Sequence, residues 1–244
     1  EGFMQKNQIV CKFGGSSVAD AGQFKKIRTI VESNQNRSVV VVSAPGKRNP
    51  SETKLTDLLY SVHALGSKGE DFSQPYGLIR DRFIEIARDL HLDTDVGTAL
   101  NEIEQHLKHN PQTSVSWVVS RGEYLSARLM SEYLGWEFID AFDLISIDES
   151  KRMTKEGYDY ISMRLKNLDR VVVPGFYAKS KEGELVTFSR GGSDITGAIL
   201  ANAIDASVYE NWTDVSGLMM ADPRIIHSPL PMPYVSYREI RELS

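Results

Sequence analysis

Lys12 is followed at once by Phe13-Gly14-Gly15-Ser16-Ser17, and a related run, Ser189-Arg190-Gly191-Gly192-Ser193-Asp194, lies far downstream. Each places a cation just before a Gly-Gly-Ser loop. Glycine lets an anion approach the backbone with no Cβ in the way. Between a strand and a helix, such a loop aims unpaired N–H groups and a helix N-terminus at one point, where negative charge is favoured. The first loop is not G-x-x-x-x-G-K-[ST], because its lysine precedes the glycines. Taken alone it is either a tight turn with a solvated lysine or a phosphate site in which Lys12 stabilises charge on a transferred group. In the second loop Arg190 supplies a fork that matches a carboxylate or phosphate. Asp194 reads equally well there as a helix N-cap. Two such loops in one chain point to two oppositely placed anion sites.

Two further groups carry polar residues at informative places. Asn211-Trp212-Thr213-Asp214-Val215-Ser216-Gly217 closes a strand pattern, and Ala221-Asp222-Pro223-Arg224 follows it. Open α/β sheets bind ligands at the C-terminal edge of their strands, although Asp222-Pro223 also reads as a turn opener. Glu123, in SRGEYLS, reads as lying at a helix start, where favouring the dipole competes with a binding role. The five histidines show neither H-x-x-x-H nor H-E-x-x-H spacing, so no residue is assigned as a metal ligand. No G-x-S-x-G elbow is present, which leaves an α/β-hydrolase reading without a nucleophile.

The elements that must position these residues alternate along the chain as strand and helix, the βαβ pattern. Ile9 to Phe13 reads as a strand entering the first loop, followed by Phe24, Ile27, Ile30 and Val31 at helical spacing. Ser38 to Val42 is β-branched and apolar on both faces, as a buried parallel strand should be. A polar loop, 44–54, precedes helical text from Leu55 to about His109 with a break at Gly66 to Pro75. Arg121 to Tyr133 predicts another helix, stopped by Gly135. Strands are predicted at 137–139, 144–147, 170–174, 185–188 and 207–210, and a helix at 194–203. Ser236 to Ser244 reads as a helix still running at the last residue, so the chain reads either as a fragment or as one whose remainder is disordered. Glu1-Gly2-Phe3 before Met4 reads as an expression scar rather than a targeting segment.

Composition bounds the function. At 244 residues the chain suits one large α/β domain or two small ones. A net charge of -5 argues against a nucleic-acid partner, which needs a basic face, but not against a local phosphate site. A single cysteine, Cys11, excludes an internal disulfide and fits a reducing cytoplasm. No apolar run approaches the roughly 20 residues of a membrane helix, so no membrane partner is expected.

In combination, KFGGSSVAD, VVVSAPGK, SRGEYLSA, PGF, TFSRGGSDITGA and WTDVSGLMMADPR, in this order, resemble aspartate kinase of the amino-acid kinase superfamily. The resemblance runs from about Ile9 to the last residue, and SRGGSD together with WTDV makes it specific. It implies a three-layer α/β/α sandwich with an open, mainly parallel sheet. It also implies transfer of the γ-phosphoryl of ATP to the side-chain carboxylate of L-aspartate, the step that opens lysine, threonine and methionine biosynthesis. By this likeness Lys12 and Asp194 serve catalysis, with Asp194 organising Lys12 or the substrate. Lys12, Gly14, Gly15 and Ser16 hold the ATP phosphates, and Thr213, Asp214, Asp222 and Arg224 lie at the nucleotide. Ser43, Thr56, Glu123, Arg190, Gly192, Ser193 and Asp194 form the aspartate pocket, where Glu123 meets the ammonium and Arg190 clamps a carboxylate. Mg²⁺ comes held mainly through ATP phosphates.

The likeness further implies that residues 4–244 are a catalytic domain without regulatory ACT domains, with an incomplete nucleotide lobe. The full-length protein would be a cytoplasmic homo-oligomer. Met219 stands where many family members have tyrosine. The alternatives are a kinase for glutamate or acetylglutamate, or a non-catalytic module that binds aspartate or assembles with a partner.

Overall fold

Strand β1 (Ile9–Phe13) pairs in parallel with β2 (Arg37–Val42) on one side and β8 (Val208–Val215) on the other. β5 (Val171–Pro174) and β3 (Glu137–Phe138) extend the sheet beyond β2, and β9 (Leu218–Ile225) closes it antiparallel to β8. The order is therefore β3-β5-β2-β1-β8-β9. A second sheet, β4 (Ser146–Ile147), β6 (Tyr177–Ser180) and β7 (Leu185–Thr187), lies apart from it. The computed structural model describes residues 7–93, 95–189, 192–215 and 217–225.

Two cores explain the layers. Side chains alternate across a strand, so Cys11, Phe13, Val40 and Val42 enter one core while Val10, Val39 and Val41 enter the other. The first core is covered by α1 (Ala21–Glu32), α2 (Leu55–Gly66), α3 (Ser73–Asp89), α4 (Val96–His109) and α5 (Val115–Leu134). The second is covered by α6 (Ala141–Leu144), α7 (Lys155–Leu165) and α8 (Gly192–Ala203). The result is the expected three-layer α/β/α sandwich around a mainly parallel sheet. No helix among the described residues is long and apolar enough to cross a membrane.

Several boundaries differ from the sequence reading. Helix α5 starts at Val115, capped by Ser114, whose hydroxyl accepts from the Trp117 N–H at 3.2 Å. The Ser-Val-Ser-Trp-Val-Val text carries β-branched residues that mask a helix start. α7 and β6 were not anticipated, and the 144–147 segment divides into the end of α6 and β4. The 185–188 strand belongs to the small sheet. Asp222-Pro223 opens no turn: both lie in β9, where Asp222 pairs with Asn211 and Pro223 with Glu210. Proline is tolerated there because β9 is an edge strand whose outer side needs no donor. The 236–244 helix lies outside the described residues.

Candidate active site

Lys12 emerges on the α8 side of β1, opposite its neighbours Cys11 and Phe13. Asp194, in the first turn of α8, meets it: Nζ to Oδ1 is 2.6 Å, with both side chains largely buried. Asn211 of β8 donates through Nδ2 to the same oxygen at 3.3 Å, and the Tyr209 hydroxyl donates to the Asp194 carbonyl at 3.1 Å. Asp194 is thus not an N-cap. Its carboxylate fixes the lysine at the end of the strand.

The first Gly-Gly-Ser run forms a 3-10 turn, Gly15–Val18, directly after β1. The Gly14 N–H donates to the Trp212 carbonyl at 3.3 Å, and the Gly46 N–H donates to the Gly15 carbonyl at 2.8 Å. The N–H groups of Gly15 and Ser16, the first of the turn, have no acceptor within it. Gly46 is obligatory, since a Cβ there would lie 2.7 Å from the Gly15 carbonyl carbon. Arg82 of α3, buried, donates to the carbonyls of Gly46 (2.7 Å) and Ala19 (3.2 Å) and to Glu52 (2.9 Å). It ties both loops to the helical layer.

Glu123 lies in the middle of α5, not at its start, and is buried. Gly122 lets α5 approach the chain after β2, because a Cβ at this position would lie 2.8 Å from that of Ala44. Glu123 Oε1 accepts from the Ala44 N–H at 3.3 Å, and Oε2 has no partner among the described residues. Burial pushes its carboxyl up to about 8 against weaker opposing hydrogen bonds and the charges of Arg121 and Lys54.

These groups line one cavity of about 580 Å³: Lys12, Gly15, Ser43, Thr56, Glu123, Gly192, Ser193 and Asp194 all face it. The Ser43 hydroxyl donates to that of Ser193 at 2.8 Å, joining the β2 and α8 sides. Gly192 packs under Phe176, whose φ of 91° is a strained left-handed conformation; a Cβ on Gly192 would lie 2.5 Å from the Phe176 ring. Gly14 and Ser16 flank the lining. Thr213 and Asp214 do not face the cavity. Thr213 is exposed, and Asp214 accepts from the Gly217 N–H at 2.9 Å and from the Gln23 side chain, pinning the β8–β9 hairpin to α1. Asp222 and Arg224 lie on β9, and Arg190 lies outside the described residues.

Sequence reasoning missed Gly46, Lys54, Lys151 and Phe176, all of which line the cavity. Gly46 and Lys54 sat in plain view within the polar 44–54 loop. Lys151 gave no signal; a turn built on Asp148 carries it to the rim, where Nζ donates to the Thr187 carbonyl at 3.3 Å. Among the described residues no group of three His, Cys, Asp or Glu side chains could hold a metal ion.

The sequence model of the amino acid kinase family matches residues 7–244. Aspartokinase 3 of Bacillus subtilis is 36% identical over 96% of this chain and 55% of its own length. Aspartokinase 1 of Arabidopsis thaliana, a chloroplast protein, is 30% identical over 96% of this chain and 45% of its own. The chain therefore spans about half the length of the curated relatives it matches. Among solved structures, Clostridium acetobutylicum aspartate kinase superposes with a TM-score of 0.82 at 42% identity, over 87% of this chain and 49% of that one. Escherichia coli aspartokinase III in complex with aspartate and ADP superposes at 0.72 and 25%, over 85% and 49%. With a family model that matches residues 7–244, the chain belongs to the amino acid kinase family.

Proposed function

We propose that this chain carries the catalytic machinery of an aspartate kinase, passing the γ-phosphoryl of ATP to the side-chain carboxylate of L-aspartate to give 4-phospho-L-aspartate. The observation that carries the reading is the meeting, in one cavity, of a strand-held lysine with a buried carboxyl, one of whose oxygens has no partner among the described residues. An amino dicarboxylic acid needs that combination: a carboxylate for its ammonium and cations for its acid groups. N-acetylglutamate has no charged ammonium to offer Glu123, which favours a free amino acid.

The chemistry asks little of the protein beyond position and charge. The acceptor carboxylate is ionised at neutral pH, so no general base is required, and none of the described lining residues is a histidine. In-line transfer between two anions needs neutralisation and orientation. Lys12 is suited to both, because Asp194 and the strand hold its ammonium before substrate arrives. The Gly15 and Ser16 amides offer donors to phosphate oxygens beside it. Ser43, Thr56, Gly192 and Ser193 bound the amino-acid side, with Arg190 clamping a carboxylate. Thr213, Asp214, Asp222 and Arg224 place the nucleotide end on the β8–β9 hairpin. Mg²⁺, carried by the nucleotide, neutralises phosphate charge when bound. The bound aspartate and ADP of the Escherichia coli relative support this assignment.

The test is ADP release dependent on L-aspartate, with the acyl phosphate trapped as its hydroxamate and glutamate and N-acetylglutamate run alongside. Absence of any aspartate dependence would reject the reading. Lys12→Ala should lower kcat by roughly a thousandfold with the fold intact by circular dichroism, and retained turnover would reject its role.

A further inference from the structure

Arg121 lies two residues before Glu123 on α5 and is 7% exposed. A buried guanidinium ordinarily pairs with a carboxylate, since an isolated charge in the interior is costly. Arg121 meets none among the described residues. It is instead caged by aromatic rings, its Cζ lying 4.6 Å from the Trp117 centroid, 4.5 Å from Tyr124 and 5.7 Å from Tyr177. Its Nε donates to the Trp117 carbonyl at 3.2 Å and its Nη2 to the Ser120 hydroxyl at 2.9 Å. Ring faces offset part of the burial cost without cancelling the charge, so a net positive field remains inside the layer. Arg121 does not line the cavity.

The other charges near Glu123 are largely committed. Lys12 is bound to Asp194, Lys151 donates to the Thr187 carbonyl, and the Tyr177 hydroxyl donates to Asp140 at 2.7 Å. Lys54, at the start of α2, lines the same cavity and is a second cation that favours ionised Glu123. Among the described residues the caged guanidinium is the buried cation that no carboxylate neutralises, two residues from a carboxyl whose outer oxygen has no partner there.

We infer that Arg121 is a positioning residue that acts through Glu123, its field allowing that carboxyl to ionise when a substrate ammonium enters, so that amino-acid binding releases a proton. The exchange balances simply: the Glu123 carboxyl gives its proton to solvent, and the carboxylate left behind pairs with the incoming ammonium. The inference rests on the aspartate reading above. At pH 7 a carboxyl titrating near 8 is mostly protonated in the empty cavity. Binding there should therefore release close to one proton, and the count should fall toward zero by about pH 9.

Calorimetric titration of the intact chain with L-aspartate, in phosphate and in Tris at pH 7 and 9, measures this directly. Different apparent heats in the two buffers at pH 7, converging at pH 9, are expected. Succinate, which lacks the ammonium, should bind without proton release. Arg121→Gln should weaken aspartate binding at pH 7 by about threefold to tenfold and at pH 9 by no more than about twofold, and Arg121→Lys should recover part of the loss. Aspartate binding with buffer-independent heat at pH 7 overturns the inference and leaves the aspartate reading standing. So does an Arg121→Gln loss equal at both pH values, the mark of a purely structural residue. No binding of aspartate at either pH, with ATP present or absent, overturns both. The buffer comparison on the unmodified chain decides the matter even if the Arg121 variants fail to fold.

Discussion

Gly46 shows how little room a single residue has at this site. A Cβ there would meet Gly15 C at 2.7 Å and Ser16 N at 2.8 Å, both backbone atoms that cannot rotate aside. Gly46→Ala must push the two loops apart, at a cost of about 1–3 kcal/mol. Because the moving atoms are those offered to phosphate, the KM for ATP should rise as well. Thermal denaturation together with steady-state kinetics checks both effects, and a variant with unchanged Tm and KM would refute the contact. Residue types in the Gly-Gly-Ser loops were legible from sequence because glycine spacing signals backbone approach. What Gly46 approaches was not, since its partner lies in the turn after another strand.

At the scale of elements, Arg82 joins α3 to the chain after β1 and to the chain after β2. It gives two carbonyls, of Ala19 and Gly46, their donors and pairs with Glu52 through 2.9 Å. Arg82→Met removes those bonds while keeping much of the side-chain bulk. The two carbonyls lose their donor and Glu52 keeps only Arg48, so stability should fall by about 2–3 kcal/mol, or roughly 5–10 °C in Tm for a chain of this size. The aspartate KM should rise with it, because Gly46 and the turn it braces border the cavity. A scan that shows lost stability with unchanged KM would separate the brace from the site. Nothing in the amphipathic text of α3 distinguished Arg82 from the half-buried Arg80 or the exposed Arg88; only the packing of the helix on two loops does.

For the whole molecule the buried Glu123 predicts an unusual pH response. Its carboxyl titrates near 4.5 when exposed in the unfolded chain and near 8 in the fold. Between those values the folded state holds more protons, so this group's contribution to stability declines as pH rises from about 4.5 to about 8 and is constant above. The loss amounts to a few kcal/mol at most. Without ligand, Tm should therefore fall between pH 5 and pH 8.5 by about 5–10 °C, whereas Glu123→Gln should flatten the profile. Saturating L-aspartate should flatten it too, by supplying the missing cation. A Tm profile identical in the wild type and Glu123→Gln would show that the carboxyl does not carry the effect.

Local sequence determined the βαβ order, the buried β1 and β2 strands, the two Gly-Gly-Ser loops and the lysine that ends β1. Each of these follows from spacing and residue type within a dozen positions. The tertiary structure alone decided that Glu123 is buried mid-helix with an oxygen that no described residue meets, because Gly122 admits α5 against the Cβ of Ala44. It also decided that Asp194 holds Lys12 rather than capping α8, that Asp222-Pro223 runs in an edge strand, and that Arg121 is caged by rings rather than paired. The division has one physical cause. Propensity and pattern are properties of neighbours in the chain, whereas desolvation and charge pairing depend on what the fold brings within a few ångströms.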